Sequence, residues 1–388
     1  MILQFGIRSR NLRCACVILV LAAILAGLAV PGCSLLGLDT DRITIMTYNL
    51  HNLFDDNADG SEYPEYNPET GNWDSAAYHA RLEDFGRVIR GVRGTYGQGP
   101  DVVVLAEVEN QRVVEDLRDK VLGERRYPSA LATAVPGSAI QIGLLSRLPV
   151  LDVRLHAVYP FDDRRIRPVL EVKLLAGDTG EADGHELHLF ACHWPSKLDG
   201  EAETERFRLM SAAVISRRVE EIVADNPDAS VLIAGDLNQT LPENMDQCRR
   251  IPPLDEEETV PLRSLAPACI LSEGPQEYIA GCTDALRPLF VTAQADKAIA
   301  DPLIFYSPWY MSELSGSYVY REEWERIDHF LLGPGLMGEG FLPTAFWVEQ
   351  RDWMLTPHGY PRGYRPSQRS GLSDHLPIVL ELSSVRLK

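Results

Sequence analysis

The chain has 388 residues, 45% of them apolar and 24% charged, a balance that excludes intrinsic disorder and leaves room for one large α/β domain or two ordinary ones. A formal net charge of −19 excludes a basic face that gathers polyanions at long range. Any phosphate-bearing ligand must be attracted locally, by a metal ion or by a few arginines.

At the N-terminus, Arg8, Arg10 and Arg13 precede an unbroken apolar run from Val17 to Val30, followed by Pro31-Gly32-Cys33-Ser34. A basic start, a short apolar core and a small residue before a cysteine predict a secretory signal over residues 1–32, and the run is short for a membrane span. The segment resembles a bacterial lipoprotein signal, with Cys33 as the lipidated first mature residue. Pro31 departs from the small or aliphatic residue usual at its position, and a plain secretory peptide or an uncleaved anchor is the alternative. The expected address is an exported, membrane-anchored lipoprotein on the periplasmic or cell-surface side. Loss of the three arginines takes the net charge to about −22.

A linker over 33–42 leads to Ile43-Thr44-Ile45-Met46, an alternating run that predicts a strand ending at Tyr48-Asn49. Residues 55–73, rich in Asp, Glu, Gly, Asn and Pro, read as a loop. Leu82, Phe85, Val88, Ile89 and Val92 recur at helical spacing within 75–92. Val102-Val103-Val104-Leu105 is a continuous buried-strand run, with a helix expected near 113–122. Further strands are expected at 140–145, 169–174, 187–192 and 231–234, and a long helix at 203–224. Residues 244–302 are irregular and read as an insertion within one domain spanning 43–388. Cys192 is expected to be a buried thiol, while one disulfide is expected among Cys248, Cys269 and Cys282, its pairing left open. Strands alternating with helices, together with strands paired directly, predict two packed sheets flanked by helices.

Polar residues end many of these apolar runs. Glu107 closes Val104-Leu105-Ala106-Glu107 and Asn49 closes Met46-Thr47-Tyr48-Asn49, both at the carboxyl ends of predicted strands. His193 lies in Ala191-Cys192-His193-Trp194. Asp236 and Asn238 in Gly235-Asp236-Leu237-Asn238 are two apart on extended chain and point to one side. Asp328 in Arg326-Ile327-Asp328-His329 and the string Ser373-Asp374-His375 complete the set. Hydrolysis of a phosphoester needs a hard cation on oxygen ligands, a base for water and stabilisers of the phosphoryl charge. Glu107 and Asn49 suit Mg²⁺ or Mn²⁺, His375 titrates near neutrality, and Asp328 is a candidate orienter for it. Each motif alone is equally explained by an Asx turn, a helix cap or a structural histidine. Those roles do not call for the whole set in this order.

In that order the motifs resemble the metal-dependent endonuclease/exonuclease/phosphatase superfamily, with its DNase I-like fold, from about residue 43 to 382. Tyr48-Asn49-Leu50-His51-Asn52-Leu53-Phe54-Asp55, Ala106-Glu107-Val108-Glu109-Asn110, His193-Trp194-Pro195-Ser196-Lys197 and Gly316-Ser317-Tyr318 are similar to a secreted bacterial branch of nuclease-like proteins. His51 stands where many relatives of that branch have Glu, and is expected to be a surface or core histidine. The resemblance implies a four-layer α/β sandwich, two mixed β-sheets face to face with flanking helices. It implies that Glu107 binds the metal, with Asn49 and Asp374 in the same sphere. Asp236 and Asn238 would align water or leaving group, His193 would contact the phosphate, and His375 with Asp328 would form the acid/base pair. Arg167, within Arg164, Arg165 and Arg167, and Lys197 are candidate substrate clamps. The expected activity is a Mg²⁺-dependent phosphodiesterase, a nuclease acting on DNA or RNA, in a monomer with no protein partner and a lipid anchor in the membrane. A sphingomyelinase-like or phosphoinositide phosphatase is the alternative, for which Pro308-Trp309-Tyr310-Met311 is the candidate bilayer contact.

Overall fold

Aliphatic runs with no polar alternation must be covered on both faces, and here two such sets are covered by each other. The computed structural model describes residues 38–39, 42–94, 97–158, 166–176, 185–198, 200–240, 289–293, 298–299, 301–338, 341–384 and 386–387. The predicted signal, Cys33, Arg164, Arg165, the cysteines 248, 269 and 282, and most of the 244–302 insertion lie outside them.

The N-terminal half comprises β1 (Arg42–Leu53), α1 (Ser75–Gly91), β2 (Val102–Val108), α2 (Gln111–Asp116), β3 (Ser129–Ala132), β4 (Gln141–Ser146), β5 (Val150–His156), β6 (Val169–Ala176) and β7 (His185–His193). There follow α3 (Glu201–Asp225), β8 (Ser230–Asp236), β9 (Phe290–Thr292), β10 (Ile304–Tyr306), β11 (Tyr318–Tyr320), β12 (Glu323–Glu325), β13 (Asp328–Leu332), β14 (Phe341–Val348) and β15 (Ile378–Ser384). One sheet has six strands in the order β14-β15-β1-β2-β4-β3, the other seven in the order β9-β10-β13-β8-β7-β6-β5. Their inner faces meet where β8 packs on β1 and β2 and where β13 packs on β1 and β15. With α1 against β1, α2 against β3 and β4, and α3 against β6, this is the four-layer α/β sandwich expected. No helix among the described residues is long and apolar enough to cross a membrane.

Local chemistry sets the boundaries. The Asp74 side chain accepts from Ala77 N–H at 2.9 Å to cap α1, and the Asn110 side chain accepts from Val113 N–H at 3.1 Å to cap α2. The helix expected near 113–122 is α2 continued by a π-helical turn over Leu117–Leu122. The insertion ends inside the sheet, since β9 pairs in parallel with β10. Strand β5 escaped the hydrophobic pattern because it is an edge: Leu151, Val153 and Leu155 lie on its exposed side.

Two parallel pairs fix where function can sit. β1 runs parallel to β2 in one sheet, and β7 parallel to β8 in the other, so four strands deliver their carboxyl ends to one edge of the sandwich. β13 and β15 run antiparallel to these neighbours and therefore begin at that same edge.

Candidate active site

Register brings the first three residues together. His193 is opposite Asp236 across β7 and β8, and Asp236 is opposite Asp328 across β8 and β13, a row of three polar side chains at the end of the seven-stranded sheet. Gly235 makes that row possible. Its φ is +142°, and a Cβ there would collide with the Cys192 carbonyl oxygen of β7.

The facing sheet supplies Asn49 and Glu107 through interrupted pairing. The register of β1 with β2 shifts between Asn49 and Leu53, and that of β2 with β4 between Ala106 and Val108. At these bulges His51, Asn52 and Glu107 take φ of +50°, +62° and +62°. Left-handed backbone at residues other than glycine costs on the order of 1 kcal/mol or more each, and such strain concentrates at functional sites. Here it turns Glu107 out of strand alternation, so that Asn52 N–H donates to its Oε2 at 3.0 Å and Asn49 Nδ2 to its Oε1 at 2.9 Å. Asn49 Nδ2 also donates to Asp236 Oδ2 at 3.0 Å, joining the two sheets. Its Oδ1 accepts from His51 N–H at 2.9 Å.

His375 is buried, and its Nδ1–H donates to Asp328 Oδ2 at 2.8 Å while Nε2 stands 3.9 Å from Asp236 Oδ2. Ser317 Oγ donates to the same Asp328 oxygen at 2.6 Å, and Trp309 Nε1 to the Asp328 carbonyl at 2.8 Å. Burial alone would lower the His375 pKa, but the Asp328 charge and hydrogen bond, with Asp236 and Asp374 beyond, hold it well above the usual value. Burial pushes the Asp236 carboxyl up to about 7; the His375 charge opposes this and Asp328 adds to it. His193 is driven well below its usual pKa by burial and then by the charges of Arg167 and His375, so it is a neutral imidazole. Its Nε2 lies 3.6 Å from Glu107 Oε1 and 3.8 Å from Asp236 Oδ2.

Asn238, at φ +50°, donates from Nδ2 to the Trp194 carbonyl at 3.0 Å and from its backbone N–H to Asp236 Oδ1 at 2.9 Å. Glu107, Asn49, His193, Asp236, Asp328 and His375 thus form one connected cluster, with Asn238 bracing it. Three other residues singled out in the sequence stand apart. Asp374 sits at the mouth with a side chain 38% exposed, its Oδ1 3.5 Å from Nδ1 of His51, which therefore belongs to the rim. Arg167 donates to the carbonyls of His193 at 2.9 Å and Trp194 at 3.0 Å, contacts that position the end of β7. Lys197 Nζ is 3.2 Å from Glu325 Oε2.

Some contributors were not singled out. Arg81 of α1 is buried and donates to the carbonyls of Leu50, His51, Asn52 and Leu372, clamping the strained end of β1 to the loop that carries Asp374 and His375. Its signal was an arginine on the apolar stripe of a predicted helix, between Tyr78 and Leu82. Two residues of the motifs named in the sequence add to this: Ser373 Oγ donates to the Asn49 carbonyl at 2.7 Å, and the Tyr318 ring lies 4.6 Å from the His375 ring.

The donor set fits a hard divalent cation. It is made of carboxylates with no thiol, and two buried atoms lack a hydrogen-bond partner among the described residues, His193 Nδ1 and Asp328 Oδ1. Asp236, Asp328 and His375 bring ligand-type atoms within 4.8 Å of one another, but His375 Nδ1 is already taken by Asp328, which makes this group a proton-handling set. Glu107, whose side chain is 17% exposed, is the carboxylate placed to hold a cation.

The family described as Endonuclease/Exonuclease/phosphatase matches residues 44–259, more than half of the chain. Among solved structures, the chain is similar to an endonuclease/exonuclease/phosphatase family protein from Bacteroides thetaiotaomicron, at 14% identity and a TM-score of 0.47, over 89% of this chain and 99% of that one. It is similar to truncated TDP2 from Caenorhabditis elegans at 15% identity and a TM-score of 0.43, over 88% and 97% of the two chains. A mannosyl-6-phosphatase from Bacteroides thetaiotaomicron is similar at 12% identity and a TM-score of 0.44, over 88% and 99%. No curated protein gives a significant match.

Proposed function

The chain belongs to the endonuclease/exonuclease/phosphatase family of phosphoester hydrolases, and from that premise we propose that it is a Mg²⁺- or Mn²⁺-dependent phosphodiesterase cleaving DNA or RNA outside the cytoplasm. The observation that carries the reading is the hydrogen-bonded meeting of Asn49 and Glu107 from one sheet with Asp236 from the other, beside the Asp328–His375 pair.

When bound, the divalent cation supplies Lewis-acid charge against the phosphoryl oxygens. The chain's own residues supply the rest. Glu107, fixed by Asn49 and Asn52, is the ligand for that cation, with Asp374 at the mouth as a further oxygen donor. Asp236, shared between Asn49 Nδ2 and His375 Nε2, takes the proton of the attacking water. His375, held cationic by Asp328, faces the same space and gives a proton to the departing oxygen. His193, a neutral donor beside both carboxylates, meets the phosphate without adding charge to the ground state.

A lipid substrate is the weaker reading. Of the aromatic string at 308–311, Pro308 and Trp309 are buried and Tyr310 and Met311 reach solvent, a smaller apolar contact than the whole string would offer a bilayer. Export through the 1–32 signal with lipid on Cys33, a monomeric state and the absence of a protein partner are part of the same proposal. Radiolabelled palmitate should enter the wild-type protein and not Cys33→Ala.

The test is a panel of DNA, RNA, mononucleotides, sphingomyelin and inositol phosphates, with Mg²⁺ added to the purified protein. Nucleic-acid cleavage that falls as salt rises, and is lost in His375→Ala, is the expected result. Faster turnover of a phosphomonoester or of sphingomyelin, insensitive to salt, would overturn the nuclease assignment and keep the phosphoesterase.

A further inference from the structure

A second acidic cluster lies on the loop that follows β1, with ligands distinct from those of the active site. Asp59, Glu62 and Glu109 each place a carboxylate oxygen within 4.8 Å of the others. Asp59 is exposed and Glu62 half-buried, but Glu109, just beyond β2, is only 3% exposed. Its Oε2 accepts from Asp55 N–H at 2.6 Å, and its buried Oε1 has no hydrogen-bond partner among the described residues. Among the described residues no Lys, Arg or His pairs with any of the three. The nearby Arg112 is spent on Asp55 and Asp56, at 3.1 and 2.6 Å.

Three carboxylates this close repel one another, and burying one of them with an unmet oxygen adds a desolvation cost. The loop nevertheless holds its two in place through its own amides: Glu62 accepts from the N–H groups of Asp59 and Gly60, and Asp59 from that of Ser61. Each oxygen so engaged keeps a second lone pair for a cation. Asp55-Asp56-Asn57-Ala58-Asp59-Gly60 also spells the opening half of a calcium loop, with Gly60 at φ +89° where such loops turn sharply. Asp55 itself is already bound to Asn57 N–H, Asn110 and Arg112, so Glu62 and Glu109 stand in as the far ligands.

We propose that Asp59, Glu62 and Glu109 bind a hard divalent cation of the Ca²⁺ class, tying the 55–62 loop to the end of β2. Ca²⁺ fits better than Mg²⁺ because the ligands come from an irregular loop and a strand end, without octahedral order. The ion would steady the bulge that aims Glu107, whose Oε2 is gripped by Asn52 from the same β1 end.

The test uses Ca²⁺ alone, added to EDTA-stripped Glu107→Gln protein so that the active-site cation is not what is read. Its Tm should rise by about 3 °C or more at saturating Ca²⁺, and equilibrium dialysis should find bound Ca²⁺. Adding Asp59→Asn and Glu62→Gln on the loop should abolish both responses, with Tm in EDTA equal to or above that of the parent because repulsion is relieved. Glu109→Gln should lose the response as well. An unchanged Tm in the Glu107→Gln parent, or an undiminished response in the loop double variant, overturns the proposal.

Discussion

Two buried polar clusters share the seven-stranded sheet and differ in almost every physical respect. Between its outer face and α3, Glu171 receives His156 at 2.7 Å, His188 at 2.9 Å and Arg218 at 2.8 Å, so one carboxylate has its oxygens fully used on unstrained strands. At the strand ends, the carboxylates of Glu107, Asp236 and Asp328 meet in a site where, among the described residues, His193 Nδ1 and Asp328 Oδ1 go unmet and Glu107 and Asn238 sit at positive φ. The first cluster is complete as it stands, as buried charge in a structural role must be. The second has spare negative charge, spare acceptors and strain, which is the signature of a site awaiting a cation and a phosphate.

That contrast can be broken by mutation. Asp236→Asn and His375→Ala should each lower kcat by about 1,000-fold, since each removes a proton-transfer group. His375→Ala also leaves the buried Asp328 carboxylate without its partner and should lower Tm, but Asp236→Asn relieves crowded negative charge and should leave Tm unchanged or higher. Glu171→Gln should do the reverse. It strands Arg218 and costs about 3 kcal/mol, visible in chemical denaturation, with kcat unchanged. A smaller effect is expected from acid. Burial would raise the Glu171 pKa, but its His156, His188 and Arg218 partners hold it well below the usual carboxylate range. Its contribution is therefore present above the ordinary glutamate value of about 4.3 and is lost as pH falls towards its depressed folded value. Thermal melts across that window should show a shallower acid loss in Glu171→Gln than in wild type. Smallest is Ser317→Ala, which removes one donor from Asp328 and should cost about tenfold in kcat while leaving KM for substrate near its starting value.

The strand ends that carry the site were legible because each apolar run stops at a residue no core would choose: Asn49, Glu107, His193 and Asp236. Periodicity located α1 within a residue and α3 within two, where apolar stripes are long. What stayed hidden depends on tertiary contact. Arg81 clamps four carbonyls because the end of β1 and the loop before β15 converge on α1, and nothing in its neighbours' sequence states that. Arg167 was legible as a phosphate clamp by type and position, yet its guanidinium is occupied by the carbonyls of His193 and Trp194. The bulges that rotate Glu107 and the pairing of Lys197 with Glu325 are equally matters of register. Short edge strands such as β5, β11 and β12 escape pattern reading because one of their faces meets solvent.

The most direct measurement follows metal-dependent hydrolysis of bis-(p-nitrophenyl) phosphate by wild type and Glu107→Gln, with the Tm of each protein read from the same preparation. Turnover should fall about 1,000-fold or more in the variant while Tm holds or rises, as expected when a strained, cation-binding carboxylate is neutralised. Near wild-type turnover, or a Tm loss as large as that of Glu171→Gln, would contradict the assignment of the strand-end cluster as the catalytic site.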